Sequence, residues 1–86
     1  MSVWQLQDRQ LWSMAPHRQE YKKHVRCDVL ARHLKDWRKA ENHQASARQI
    51  SEEFSTLFGA RTAEVYLTYW RDEALAEARR EIKTAG

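Results

Sequence analysis

Two glycines and one proline in 86 residues leave this chain almost no places to turn. Proline removes a backbone donor and glycine loosens the backbone, so both punctuate regular structure. A chain with so few of them has to run in long unbroken segments. Ala, Glu, Arg, Gln, Leu and Lys dominate the remainder, all strong helix formers. Valine and isoleucine are scarce, which argues against β-structure. The expectation is a single all-α domain spanning 1–86, a small bundle of about four helices.

Boundaries follow from caps and periodicity. Ser2-Val3-Trp4-Gln5 has the S-x-x-Q form of a capping box. A helix over 3–14 is therefore expected, with Trp4, Leu6, Leu11 and Trp12 as its apolar stripe. Ala15-Pro16 ends it, and Pro16 suits the first turn of a second helix over 16–42. There Val25, Val29, Leu30, His33, Leu34 and Trp37 recur at three- and four-residue steps over a broad sector. So wide a sector predicts packing on two sides or against a second copy. Ser46-Ala47-Arg48-Gln49 repeats the capping-box form and predicts a third helix over 47–58, closed by Gly59. A fourth helix is expected over 62–83, crowded with Val65, Tyr66, Leu67, Tyr69 and Trp70 and continued by Ala74, Leu75, Ala78 and Ile82.

Charge is distributed unevenly. Residues 1–48 hold ten Lys/Arg against five Asp/Glu, and residues 49–86 hold five against seven. The basic half suits an anionic partner, nucleic acid or an acidic protein. Four tryptophans, three tyrosines and two phenylalanines supply core area, and any that stay exposed mark an interface.

Chemistry is harder to find. No glycine-rich phosphate cradle or nucleophile motif is present, so an enzyme is not expected. His24, Cys27 and Asp28 fall at helical spacing without a second cluster to close a site, so no metal and no cofactor is expected. The lone Cys27 has no internal partner, which fits a reducing compartment. No leader-like or membrane-spanning apolar run is visible, and a soluble cytoplasmic protein with no membrane contact is the expectation.

One stretch points toward a function. From Phe54 to Val65 the chain reads F-S-T-L-F-G-A-R-T-A-E-V. Phe54 and Ser55 form an apolar-then-small pair, Phe58 is a core contact, Gly59 a turn, and Val65 an anchor beyond it. Over residues 48–70 this resembles the helix-turn-helix of phage and bacterial repressors. The resemblance implies a reading helix beginning near Arg61 and Thr62, with Ala63 and Tyr66 also near the base edges. Lys22, Lys23 and Arg26 would add phosphate contacts. The function implied is a small regulator binding double-stranded DNA as a homodimer. Trp37, Leu34, Leu30, Tyr69 and Trp70 are the expected partner or dimer contacts. Three features pull the other way: Thr68 replaces a usual apolar anchor, Glu64, Asp72 and Glu73 put negative charge on the reading helix, and Tyr66, Tyr69 and Trp70 look more like packing or protein-contact residues than base readers. The alternative is a protein-interaction module, a small inhibitor or adaptor docking on a larger bacterial complex without touching DNA.

Overall fold

A computed structural model describes the backbone of residues 3–85 and the side chains of residues 13–84. Three helices account for nearly all of it: α1 over Val3–His33, α2 over Trp37–Phe58 and α3 over Ala60–Ala85. No strand occurs among the described residues. The all-α expectation is met, but with three helices instead of four. The capping box at Ser2 and the side chains of Trp4, Leu6, Leu11 and Trp12 lie outside the described set.

Two boundaries move, each for a physical reason. Proline at 16 sits inside α1 and does not end it. Its ring removes one helical N–H, but it faces solvent while Met14 and Tyr21 on either side are held by the core. The packing of those neighbours outweighs the lost hydrogen bond. The second shift is larger. The chain turns at 34–36, not at 42–46, and Ser46 lies in the middle of α2.

That corner is a Schellman closure built without glycine. Asp36 N–H donates to the Ala31 carbonyl at 2.8 Å and Lys35 N–H to Arg32 at 3.0 Å. Lys35 takes the left-handed conformation at φ 61° that such a closure demands. Asp36 then caps α2, its carboxylate accepting from Lys39 N–H at 3.3 Å.

The second joint is a single residue. Gly59 adopts φ 91°, donates its N–H to Ser55 at 2.9 Å, and accepts from Ala63 N–H at 3.0 Å. One helix ends and the next begins on the same residue, a conformation only glycine takes without strain.

The buried residues of α2 are Ala40, Ala47 and Phe54, each seven positions from the last. On α3 they are Ala63, Trp70, Ala74 and Ala78. Small side chains on both stripes bring the helix axes close, and the large ones gather at one level. There Met14, Phe54, Ala63 and Trp70 form the core, with Tyr21, Phe58, Tyr66 and Leu67 against it. Phe54 is fully buried, its ring centroid 4.7 Å from Phe58 and 4.9 Å from Trp70. Such offset aromatic contacts add to the burial itself.

Candidate interaction surfaces

The basic face of α1 meets an acidic face of α3 in register. Arg18 pairs with Glu73 at 3.0 Å, Lys22 with Glu77 at 2.9 Å, and Arg26 with Glu81 at 3.6 Å. Each step advances both helices by one turn, so the two run parallel and the pairs form a ladder. Lys22 also reaches Glu73 at 2.9 Å. Burial works against the Lys22 ammonium, but its hydrogen bonds to Glu77 and Glu73 outweigh that and raise its affinity for the proton. The same bonds from Lys22, with one from Arg18, hold Glu73 below the usual carboxylate range. The hydrogen bond from Lys22 likewise lowers Glu77. Lys23 leans on Glu20 at 3.6 Å. Lys22, Lys23 and Arg26, expected to meet phosphates, are thus engaged within the fold.

The four residues expected near base edges separate. Arg61 is exposed and Thr62 half-buried at the start of α3. Ala63 is completely buried, because α3 turns the side carrying Ala63 and Trp70 toward Met14 and Phe54, so its methyl is core and not surface. Tyr66 is half-buried with its ring 5.9 Å from Trp70. Glu64 is exposed two turns from the exposed Asp72, and both are negative.

The residues expected to contact a partner divide as well. Trp70 is only 4% exposed and belongs to the core, where it closes the aromatic cluster over Phe54 and Tyr21. Leu30 is half-buried. Leu34, Trp37 and Tyr69 are exposed at 76%, 57% and 65%. Val65, the expected anchor beyond the turn, is exposed, and so is Leu57. The buried line of α2 runs through Ala40, Ala47 and Phe54, and Leu57 lies about 60° round the helix from Phe54, outside it.

Leu34 and Trp37 flank the α1–α2 corner together with Lys35, Arg38 and Lys39, all exposed. None of those three cations has an ion pair or a side-chain hydrogen bond among the described residues. Arg32 just before them is different: it binds Asp28 at 2.8 Å and Gln44 at 2.9 Å. The corner is therefore an apolar pair set in free positive charge.

Concave features are modest. A cleft of about 320 Å³ opens between the helices, lined among others by Tyr21, Asp28, Gln44, Arg48, Ser51 and Arg71. Burial raises the Tyr21 phenol, keeping it protonated. Across the α1–α2 seam His24 Nδ1 lies 3.0 Å from His43 Nδ1. No group of three or more His, Cys, Asp or Glu converges among the described residues. No described helix is long and apolar enough to cross a membrane. Comparison with protein families, with curated proteins and with solved structures returns no match.

Proposed function

We propose that this chain is a protein-interaction module that docks on a larger protein through its α1–α2 corner. The observation that carries the reading is the exposure of Leu34 and Trp37 beside three unpaired cations. Exposed tryptophan ringed by polar side chains is the composition of an interface hot spot. Lys35, Arg38 and Lys39 would steer an acidic partner toward it. Nothing catalytic competes for the site. A regulator reading duplex DNA as a homodimer through residues 54–65 rests on Arg61 alone for free positive charge, since Ala63 is buried and Lys22 and Arg26 are engaged.

The two readings separate in one set of measurements. Affinity capture with the wild-type chain recovers a stoichiometric protein partner, and Trp37→Ser weakens that complex by about 30-fold, the loss of a 2 kcal/mol hot spot. Arg61→Ala leaves it unchanged, and circular dichroism verifies that both variants remain helical. Fluorescence anisotropy with duplex DNA at low salt gives no binding. Salt-sensitive duplex binding that Arg61→Ala removes would overturn the proposal in favour of the DNA regulator.

A further inference from the structure

We infer that His24 and His43 form a two-histidine clamp for a borderline divalent transition ion, zinc or nickel, across the α1–α2 seam. His24 belongs to α1 and His43 to α2, and their Nδ1 atoms face each other at 3.0 Å. The ring centroids are 5.2 Å apart with the planes tilted by 39°. Two imidazoles on one tetrahedral zinc hold their nitrogens about 3.3 Å apart, from Zn–N lengths of about 2.05 Å. Only a few tenths of an ångström separate the two arrangements, within reach of small ring rotations. In the metal-free pair one Nδ1–H donates to the other Nδ1. Metal binding needs both Nδ1 lone pairs free, so the shared hydrogen moves to a distal Nε2 with no net proton released.

A second observation favours that tautomer. Glu20 Oε2 lies 3.7 Å from His24 Nε2, on the far side of the ring from His43. A carboxylate facing the distal N–H of a metal-bound histidine orients the ring and raises its basicity. Burial first, then the neighbouring His43 and Lys23, lowers the proton affinity of His24, with Glu20 opposing. The imidazole is thus neutral near pH 7, the form that ligates. Imidazole pairs suit zinc, nickel and copper and reject magnesium. With no third protein ligand in the cluster, water completes the shell.

Chelator-stripped protein at pH 7.5 tests this with zinc chloride, nickel chloride and magnesium chloride as probes. Titration calorimetry gives one zinc per chain. At a ten-fold excess over the measured Kd, the folded-to-unfolded ratio rises about eleven-fold and the thermal midpoint climbs by roughly 5–10 °C. Magnesium moves neither. His24→Asn and His43→Asn each abolish the effect, while His33→Asn, at an exposed histidine, retains it. If an Asn variant melts without cooperativity, the wild-type stoichiometry still decides. No zinc binding, one zinc per two chains, or an equal shift in His43→Asn would each overturn the clamp. The proposed docking corner is untouched by any of these outcomes.

Discussion

Acidification from pH 7 to pH 5 in chelator-containing buffer should weaken this fold specifically through the His24–His43 pair. His24 has a folded-state proton affinity below its ordinary value of 6.5, first because of burial and then because of His43. A base depressed in this way is protonated more readily in the unfolded chain. Its stabilising contribution is present above about pH 6.5 and is lost as pH falls through the lowered folded value. Lys23 adds to the depression and Glu20 opposes it. A proton added to His24 lands 5.2 Å from the facing ring, a separation at which two unit charges would repel by about 3 kcal/mol at an effective dielectric constant of ~20. Solvent at the seam roughly halves that, leaving about 1–1.5 kcal/mol. Urea unfolding at the two pH values measures it, as a midpoint shift of roughly 0.5–1 M beyond that of His43→Asn. Glu73 and Glu77 do not interfere, since their lowered proton affinities sustain stability above about 4.5 and release it only at lower pH. If His43→Asn loses as much stability as the wild type over this window, the facing imidazoles are not the cause and the reasoning fails.

Two further substitutions test the corner and the ladder. Lys35→Gly should stabilise the protein by about 0.5–1 kcal/mol in thermal unfolding, because relief of a left-handed side-chain residue outweighs the added freedom of the unfolded chain. A drop in midpoint would mean that the Lys35 side chain contributes something the corner geometry does not show. Lys22→Met removes the ammonium shared by Glu73 and Glu77 and should cost about 0.5–1 kcal/mol at low salt, a modest figure because both carboxylates reach solvent. The difference should shrink in about 1 M salt, and a salt-independent loss would trace to packing instead.

Helicity was legible in the sequence because it follows from composition, and the Gly59 stop because only glycine signals that conformation so openly. The α1–α2 corner was not legible. Its left-handed residue is Lys35, and nothing in L-K-D-W distinguishes that lysine from one on a helix surface. Pro16 and the Ser46–Gln49 box misled for the opposite reason: both are genuine local signals that the core overrules, one by burying Met14 and packing Tyr21 against it, the other by extending α2 back to its cap at Asp36. The candidate site was half legible. Leu34, Trp37 and Tyr69 are exposed as an interface requires, but Trp70 carries the same aromatic signal and is core. Periodicity gives the faces of a helix, and only the neighbouring helices decide which face is covered.

The charge asymmetry between the two halves of the chain takes its meaning from this packing. An excess of cations in residues 1–48 over anions in 49–86 looks, in sequence, like a surface waiting for phosphate. Much of it is instead the two sides of one internal ladder, written four residues apart as Arg18, Lys22, Arg26 and again as Glu73, Glu77, Glu81. That spacing was available from the sequence, and matching the two series would have withdrawn Lys22 and Arg26 from any external role. Once the ladder is set aside, the unpaired cations among the described residues of the first half that stand beside exposed apolar side chains are those of the corner, Lys35, Arg38 and Lys39. A partner that needs both positive charge and an apolar anchor finds them together there and not at Arg61, whose neighbour on the reading helix is Glu64. Residual charge after internal pairing, more than net charge, is therefore what points to the corner as the proposed docking surface.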